Sequence, residues 1–419
     1  MATPNPVFDQ EKADARRATK GFQGSDRSRA YERYLLTRVI HAMAPRQYTV
    51  ELWDGFRIEP SHGSSIATVH IHSRPALTNL LRQGDVGFGD AYSTGEITVE
   101  GDLIGFLIQV YQTPEPKGIF KVVKRAQQRS PRANTQAGSR ENIHHHYDIG
   151  NDFYKLWLDR EMQYTCAYFA EDAMEIEAAQ QAKMDHICRK LQLRHGDRVA
   201  EAGCGWGGLA RHMALHYGAI VSSWNVSAEQ VRYATDRAKS EGYDDRVSYV
   251  LDDYRNIKGE YDAFVSVGML EHVGLDHYPD LGDVVDRCLT TEGRGLIHTI
   301  GRNRPRLMNA WIEKRIFPGA YPPTLGEMMD IFEPHRFSVL DVENLRLHYA
   351  KTLEAWLSRF DASHQQVTEQ FDENFTRAWR LYLAGSKAAF LSGALQLFQV
   401  VFTRERNNKL AASRAHLYS

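Results

Sequence analysis

Residues 198–214, RVAEAGCGWGGLARHMA, read as a strand, a tight glycine turn and a helix. Gly203, Gly205, Gly207 and Gly208 fall where a chain turns sharply and lets a ligand approach its backbone. The helix behind them presents free N–H groups at its start. Around this unit the chain alternates strand and helix. AIVSSWNV (219–226), VSYVLDD (247–253), YDAFVSVG (261–268) and GRGLIHTI (293–300) are β-like runs. Residues 175–191, 207–217 and 227–242 have helical spacing of apolar residues. That order predicts an α/β domain with a doubly wound, largely parallel sheet. FSVLDVENL (337–345) and LQLFQVVFTR (395–404) read as late strands that complete it.

The glycine stretch is more specific than a bare G-x-G. Glu201 ends the first strand, where an acid suits an ammonium or hydroxyl better than a pyrophosphate. The pattern resembles motif I of class I S-adenosylmethionine (SAM) methyltransferases; a purely structural turn is the competing reading. Trp224, Asn225, Ser227 and Gln230 follow the second strand, and Asp252, Asp253 and Tyr254 the third. These are the places where such a fold holds ribose and adenine. An acid pair on a solvated loop is the alternative for Asp252 and Asp253.

Upstream lies a different pattern. Residues 1–29 are poor in apolar residues and are expected to be poorly ordered. From 30 to 116 the sequence predicts a small α+β domain. ERYLLTRVIHAM (32–43), LTNLLRQ (77–83) and DLIGFLIQVYQ (102–112) are helix-like, while YTVELWDGFRIEP (48–60) and SIATVHIHS (65–73) alternate like strands, with a turn at Asp54-Gly55. Residues 117–140 contain seven basic residues and no acid, which reads either as a solvated linker or as attraction to an anionic lipid surface. The catalytic domain is expected from 141 to 419.

Composition sets the outer bounds. Lys and Arg total 51 against 53 Asp and Glu, a formal net charge of −2, which argues against a nucleic-acid binder acting through bulk charge. Four cysteines exclude a disulfide framework and fit a reducing compartment. The opening residues lack the apolar run of an export signal, and residues 388–402, the most apolar late stretch, are too short to span a bilayer. The expected location is cytoplasmic, peripheral at the inner face of the membrane.

HYDIGNDFYKLWLD (146–159), MQYTCAYF (162–169), EAGCGWGGLA, GMLEHVG (268–274), LIHTIG (296–301) and WIEKRIFPGAYPP (311–323) occur in that order, followed by HYAKTLEAW (348–356) and QLFQVVFTR. Together they resemble the cyclopropane-fatty-acyl-phospholipid synthases, a SAM-dependent family. Departures are WNVSAEQ at 224–230 and Glu201, where aspartate is usual. The resemblance implies a class I SAM methyltransferase (Rossmann-like) domain behind a small lipid-binding domain, and transfer of a methylene group to the cis double bond of a phospholipid acyl chain. It implies a bound bicarbonate that removes a proton from the carbocation. Glu271 and His298 would hold that anion through their side chains, Tyr349 through its hydroxyl, and Cys166 and Ile300 through backbone amides. SAM would meet Tyr164, Thr165, Glu201, Gly203, Cys204, Gly205, Gly207, Asn225, Ser227, Gln230, Asp253 and Tyr254. His146, Tyr147, Asp148, Asn151 and Phe153 would form a lid. No metal is implied. An anionic membrane surface and a second copy of the chain are the expected partners. Rival readings are a related lipid C-methyltransferase giving methyl-branched or methylene chains, a methyltransferase of small soluble molecules, and a non-catalytic lipid-binding protein.

Overall fold

Period-two alternation builds the first sheet. In the computed structural model, which describes residues 27–113 and 149–418, strands β1 (Tyr48–Leu52) and β3 (Ala67–Ile71) bury Tyr48, Val50, Leu52, Val69 and Ile71. The pair runs parallel; β2 (Arg57–Ile58) and β4 (Ile97–Gly101) flank it antiparallel, in the order β2-β1-β3-β4. Helices Ala30–Ala42, Arg74–Gln83, Asp85–Ser93 and Leu103–Gln112 complete this α+β unit. The expectations for residues 1–26, for the basic segment 117–140 and for His146, Tyr147 and Asp148 lie outside the described residues.

Two of these elements escape the sequence reading, helix Asp85–Ser93 and strand β4. The helix contains Gly87 and Gly89, which normally speak against helix. Packing explains both. A Cβ on Gly87 would stand 2.3 Å from the Asn79 carbonyl oxygen, and one on Gly89 2.4 Å from the Trp311 ring.

The second sheet follows the alternation read from the sequence. Its strands are β5 (Arg198–Ala202), β6 (Ile220–Asn225), β7 (Val247–Leu251), β8 (Tyr261–Val267), β9 (Leu289–Gly301), β10 (Phe337–Asn344) and β11 (Gln396–Arg404). The order is β10-β11-β9-β8-β5-β6-β7; β9, β8, β5, β6 and β7 run parallel, and β11 pairs antiparallel with both β9 and β10. Successive residues face opposite layers. Ala200, Phe264, Ile297 and Val400 meet helices Tyr278–Cys288 and Leu325–Phe332; Val199, Val265, Leu296 and Val401 meet Ile176–Lys190 and Gly208–Tyr217. The apolar stretch 388–402 divides at Gly393 into a helix end and strand β11.

The two units share one core. Helix Glu373–Leu391 packs on Arg346–Ala362 and also on Leu103–Gln112 and Asp85–Ser93 of the first unit. Residues from Leu36 to Leu397 therefore form a single apolar cluster. Polar links fasten the seam. Asp90 accepts from Arg315 Nη2 at 2.7 Å and Trp311 Nε1 at 3.1 Å, and Asn309 Nδ2 donates to Asp85 at 2.9 Å.

Candidate active site

The strand order reverses between β5 and β8, so a crevice opens at the carboxyl ends of the strands. The glycine loop follows β5, Asn225 ends β6, Asp253 follows β7, Glu271 follows β8, and Ile300 lies at the end of β9. All of them arrive at the same edge.

Gly203, Gly205 and Gly207 have φ of +92°, +48° and +82°. Gly205 has open space where a side chain would stand and lines a cavity with Gly203, Cys204 and Trp206. Gly207 is the N-cap of helix Gly208–Tyr217; its carbonyl accepts from the Tyr249 hydroxyl at 2.9 Å. Glu201 is buried, accepts from the Ser223 hydroxyl and is pushed up to about 7 by burial.

The side of the crevice beyond β6 is built from side-chain pairs. Asn225 Nδ2 donates to Gln230 Oε1 at 2.8 Å, and the Ser227 hydroxyl caps helix Ala228–Glu241 by accepting from the Gln230 amide. Gln230 Nε2 and the Tyr254 hydroxyl are buried polar atoms without a partner, and both residues line the cavity. Asp253 also lines it, with its carboxylate taken by Arg255 at 2.8 Å. Tyr164 meets the Tyr382 hydroxyl at 2.8 Å. Thr165 Oγ1 accepts from Lys183 Nζ at 2.9 Å. Ser227 and Gly207 thus stand behind the cavity wall rather than on it. Of the expected lid, Asn151 accepts from Trp206 Nε1 at 2.6 Å and Phe153 is buried among Trp157, Phe375 and Trp379.

Lys183 was not foreseen. It is fully buried, bonds Gln163 as well as Thr165, and burial lowers it to about 8. The available signal was a lysine on the inward stripe of Ile176, Ala179 and Ile187.

Glu271 sits in a one-turn helix after β8. Its Oε1 accepts from the Ile300 amide at 2.6 Å; its Oε2 is buried without a partner, and burial raises the carboxyl to about 7. His298 is buried in β9 opposite Gln399, whose Nε2 lies 3.0 Å from His298 Nδ1. With that amide as donor, the ring proton resides on Nε2, which has no partner. Burial holds this histidine far below its usual pKa, so the ring is neutral. Cys166 is buried with its thiol pKa raised by burial, and Sγ lies 3.9 Å from the Leu345 carbonyl at the start of the helix that carries Tyr349. Tyr349 stacks on Phe390 with centroids 4.5 Å apart. Glu271, Ile300 and Tyr349 line the cavity; the side chains of His298 and Cys166 lie behind its wall.

The cavity holds about 980 Å³ and runs through both units. One end is Leu36, Ile40, Val50 and Phe106; the other is Glu201, Gly205 and Glu271. Among the described residues no group of His, Cys, Asp and Glu is arranged to hold a metal, and no helix is long and apolar enough to cross a membrane.

This sheet order, crevice and glycine loop define the class I SAM-dependent methyltransferase fold. Residues 134–400 match the family described as mycolic acid cyclopropane synthetase, and 35–117 match a domain of unknown function. The chain belongs to that synthetase family and is a SAM-dependent enzyme. It is 38% identical over 84% of its length to the cyclopropane-fatty-acyl-phospholipid synthase of Escherichia coli (strain K12), covering 92% of that protein. It is 35% identical, over 84% of its length and 90% of the relative, to a probable fatty acid methyltransferase of Pseudomonas putida. A mycolic acid cyclopropane synthase complexed with SAH and CTAB superposes with a TM-score of 0.60 at 28% identity, covering 63% of this chain and 98% of that one. The residues here fit SAM: the unpartnered Gln230 and Tyr254 atoms and the open side of Gly205 face one crevice.

Proposed function

We propose that the chain transfers a methylene group from SAM to the cis double bond of an unsaturated phospholipid acyl chain, forming a cyclopropane. The observation that carries this reading is the cavity itself. It joins an apolar channel in the first unit to the glycine loop and Glu271, so one ligand surface can be lipid and the other polar cofactor.

SAM, when bound, supplies an electrophilic methyl group, and a bicarbonate supplies a base. Gln230 Nε2, the Tyr254 hydroxyl and the Asn225–Gln230 pair would hold the nucleoside, and Glu201 the amino-acid end. Glu271, on the cavity wall, and His298, behind it, each keep an unpartnered atom, the acceptor Oε2 and the donor Nε2–H, so an anion held by both would sit recessed in that wall. That set matches a small anion that carries both an O–H and acceptor oxygens. Tyr349 would add its hydroxyl, and Cys166 and Ile300 their amides. The Cys166 thiol stays protonated and is no nucleophile. Phe317, Tyr382 and Phe390 keep water from a cationic chain, which water would capture as an alcohol, and present π faces to it.

The similarity to a fatty acid methyltransferase favours a second reading, in which the cation loses a different proton and yields a methyl-branched or methylene chain. One experiment separates the two. Purified protein, SAM and vesicles of unsaturated phosphatidylglycerol are incubated and the acyl chains analysed by mass spectrometry before and after hydrogenation. A product heavier by one CH2 that resists hydrogenation is the ring. A chain heavier by one CH2 that takes up hydrogen is the branched-alkene or methylene product, and no mass gain refutes both. The reading includes reversible peripheral attachment to anionic bilayers, which vesicle co-sedimentation over a salt series tests.

A further inference from the structure

Beyond the glycine loop and Glu271, the cavity holds a second polar locus at the seam between the two units. Arg302 follows the last residue of β9, and its amide donates to the Pro323 carbonyl at 2.8 Å, which fixes its backbone. Its side chain is buried. Nη1 donates to the carbonyls of Arg306 at 3.0 Å and Leu307 at 2.9 Å, and Nε has no partner. Arg306 lines the same cavity at its exposed margin, and Tyr111, from helix Leu103–Gln112 of the first unit, lines it from the other side.

No carboxylate among the described residues pairs with either arginine. Arg211 and Arg294, as deeply buried, hold Glu161 and Asp197. Glu327 acts on Arg302 only at a distance, its carboxylate taken by Thr324 and the Tyr321 hydroxyl, and Asp85, which faces Tyr111, is engaged by Asn309. Burial, reinforced by the Arg306 charge and only partly offset by Tyr111, Tyr321 and Glu327, lowers the Arg302 guanidinium to about 10. Burial also raises Tyr111 to about 12, which keeps its hydroxyl a neutral donor.

We propose that Arg302, Arg306 and Tyr111 form an anion site that takes the phosphodiester of a phospholipid head group. Arg306 brings a guanidinium fork and Tyr111 a hydroxyl, while Arg302, whose Nη1 is spent on two carbonyls and whose Nη2 faces Met308 Sδ at 3.7 Å, adds its charge and the unpartnered Nε–H; guanidinium and hydroxyl donors of this kind suit a phosphate. Leu80, Leu81 and Val110 beside them are apolar and belong to the same cavity, so the anion's attached chains have a continuous path toward Glu271. This site rests on the lipid reading above.

Calorimetric titration of the full chain tests it with three probes: lyso-phosphatidylglycerol below its micelle concentration, monooleoylglycerol, and inorganic phosphate. The variants are Arg306→Gln, whose exposed position spares the fold, Tyr111→Phe and Arg302→Lys. The wild type is expected to bind the lyso-phospholipid about tenfold more tightly than the neutral lipid, and Arg306→Gln to remove about that factor on the phospholipid alone. Equal losses on both lipids would mark a packing effect and overturn the site, as would unchanged affinity in Arg306→Gln. Phosphate binding as tight as the lyso-phospholipid would assign the site to a free anion and overturn the head-group assignment. Failure of the wild type to bind either lipid would instead take down the lipid reading, and this site with it.

Discussion

The amide of Ile300 donates to Glu271 Oε1 at 2.6 Å, joining the end of β9 to the turn after β8. This bond orients the carboxyl and leaves Oε2 as its buried, unpartnered face. The bond favours the ionised form, yet burial is the larger effect and the carboxyl rests near 7.

Glu271→Gln is therefore expected to keep the fold and lower turnover by roughly 10²–10³-fold, the scale of losing one oriented polar group in an active site. SAM affinity, measured by calorimetry, is expected to stay within about twofold, because the contact proposed is with the anion. SAM affinity lost together with activity would move Glu271 to the cofactor site.

Bicarbonate depletion is expected to slow the wild type, and added bicarbonate to restore the rate. His298 has its Nδ1 lone pair taken by Gln399 and its proton on Nε2, and Glu271 is proposed to hold the anion, so the external base is the one expected to take the proton. Full turnover in rigorously CO2-free buffer would transfer the base role to one of these two residues.

The same carboxyl sets a pH signature in stability. The native pKa of about 7 lies above the ordinary glutamate value of 4.5, so the native state binds the proton more tightly than the unfolded chain. Stability contributed by this group is present below pH 4.5 and is lost as pH rises to about 7. Glu201 acts in the same direction. Replacing Glu271 by Gln removes its share, so the melting temperature of the variant should gain on the wild type between pH 5 and 8. A gap constant over that range would contradict the assignment.

Gly207 and Gly205 separate folding from binding. A Cβ at Gly207 would stand 2.5 Å from the Tyr249 hydroxyl and 2.7 Å from Ala234 Cβ, at φ +82°. Gly207→Ala is expected to destabilise by about 1–3 kcal/mol. Gly205→Ala meets nothing within 4 Å and faces the cavity, so it should cost about 1 kcal/mol in folding and weaken SAM binding more. Thermal melts and SAM titrations on both variants check the contrast.

How much of this was legible in the sequence depends on what each residue meets. The glycine loop, the strands and the late pair 337–345 and 395–404 follow from local pattern, and the structure places them there. Helix Asp85–Ser93 was hidden because Gly87 and Gly89 serve neighbours distant in sequence, Asn79 by eight residues and Trp311 across the seam. LTNLLRQ and DLIGFLIQVYQ read as helices with an apolar face, and the structure has both as helices. Leu77 is buried, and Phe106 and Leu107 turn toward the cavity on the helix that packs against Glu373–Leu391. Periodicity reveals that a face is apolar but not what covers it. Lys183 shows the converse, since a charge on an inward stripe finds its reason in Gln163 and Thr165.

Asp90 fastens the seam through Arg315 and Trp311. Asp90→Ala would leave the buried Arg315 guanidinium without its carboxylate, and a loss of about 1–3 kcal/mol is expected in chemical denaturation. The apparent KM for vesicle lipid should rise while SAM affinity holds. An unchanged KM would show that the seam plays no part in lipid access.

Helix Glu373–Leu391 has a further consequence, because it serves both units at once. Opening either unit uncovers the same side chains, so neither can melt while the other stays intact. The protein should behave as one cooperative foldon, with a single calorimetric transition and amide protection rising and falling together in β1 and β5. Excising residues 1–116 would then strip a wall from the methyl-transfer half instead of releasing a detachable module, and inherited or engineered lesions in the small sheet would register as lost chemistry at a distance.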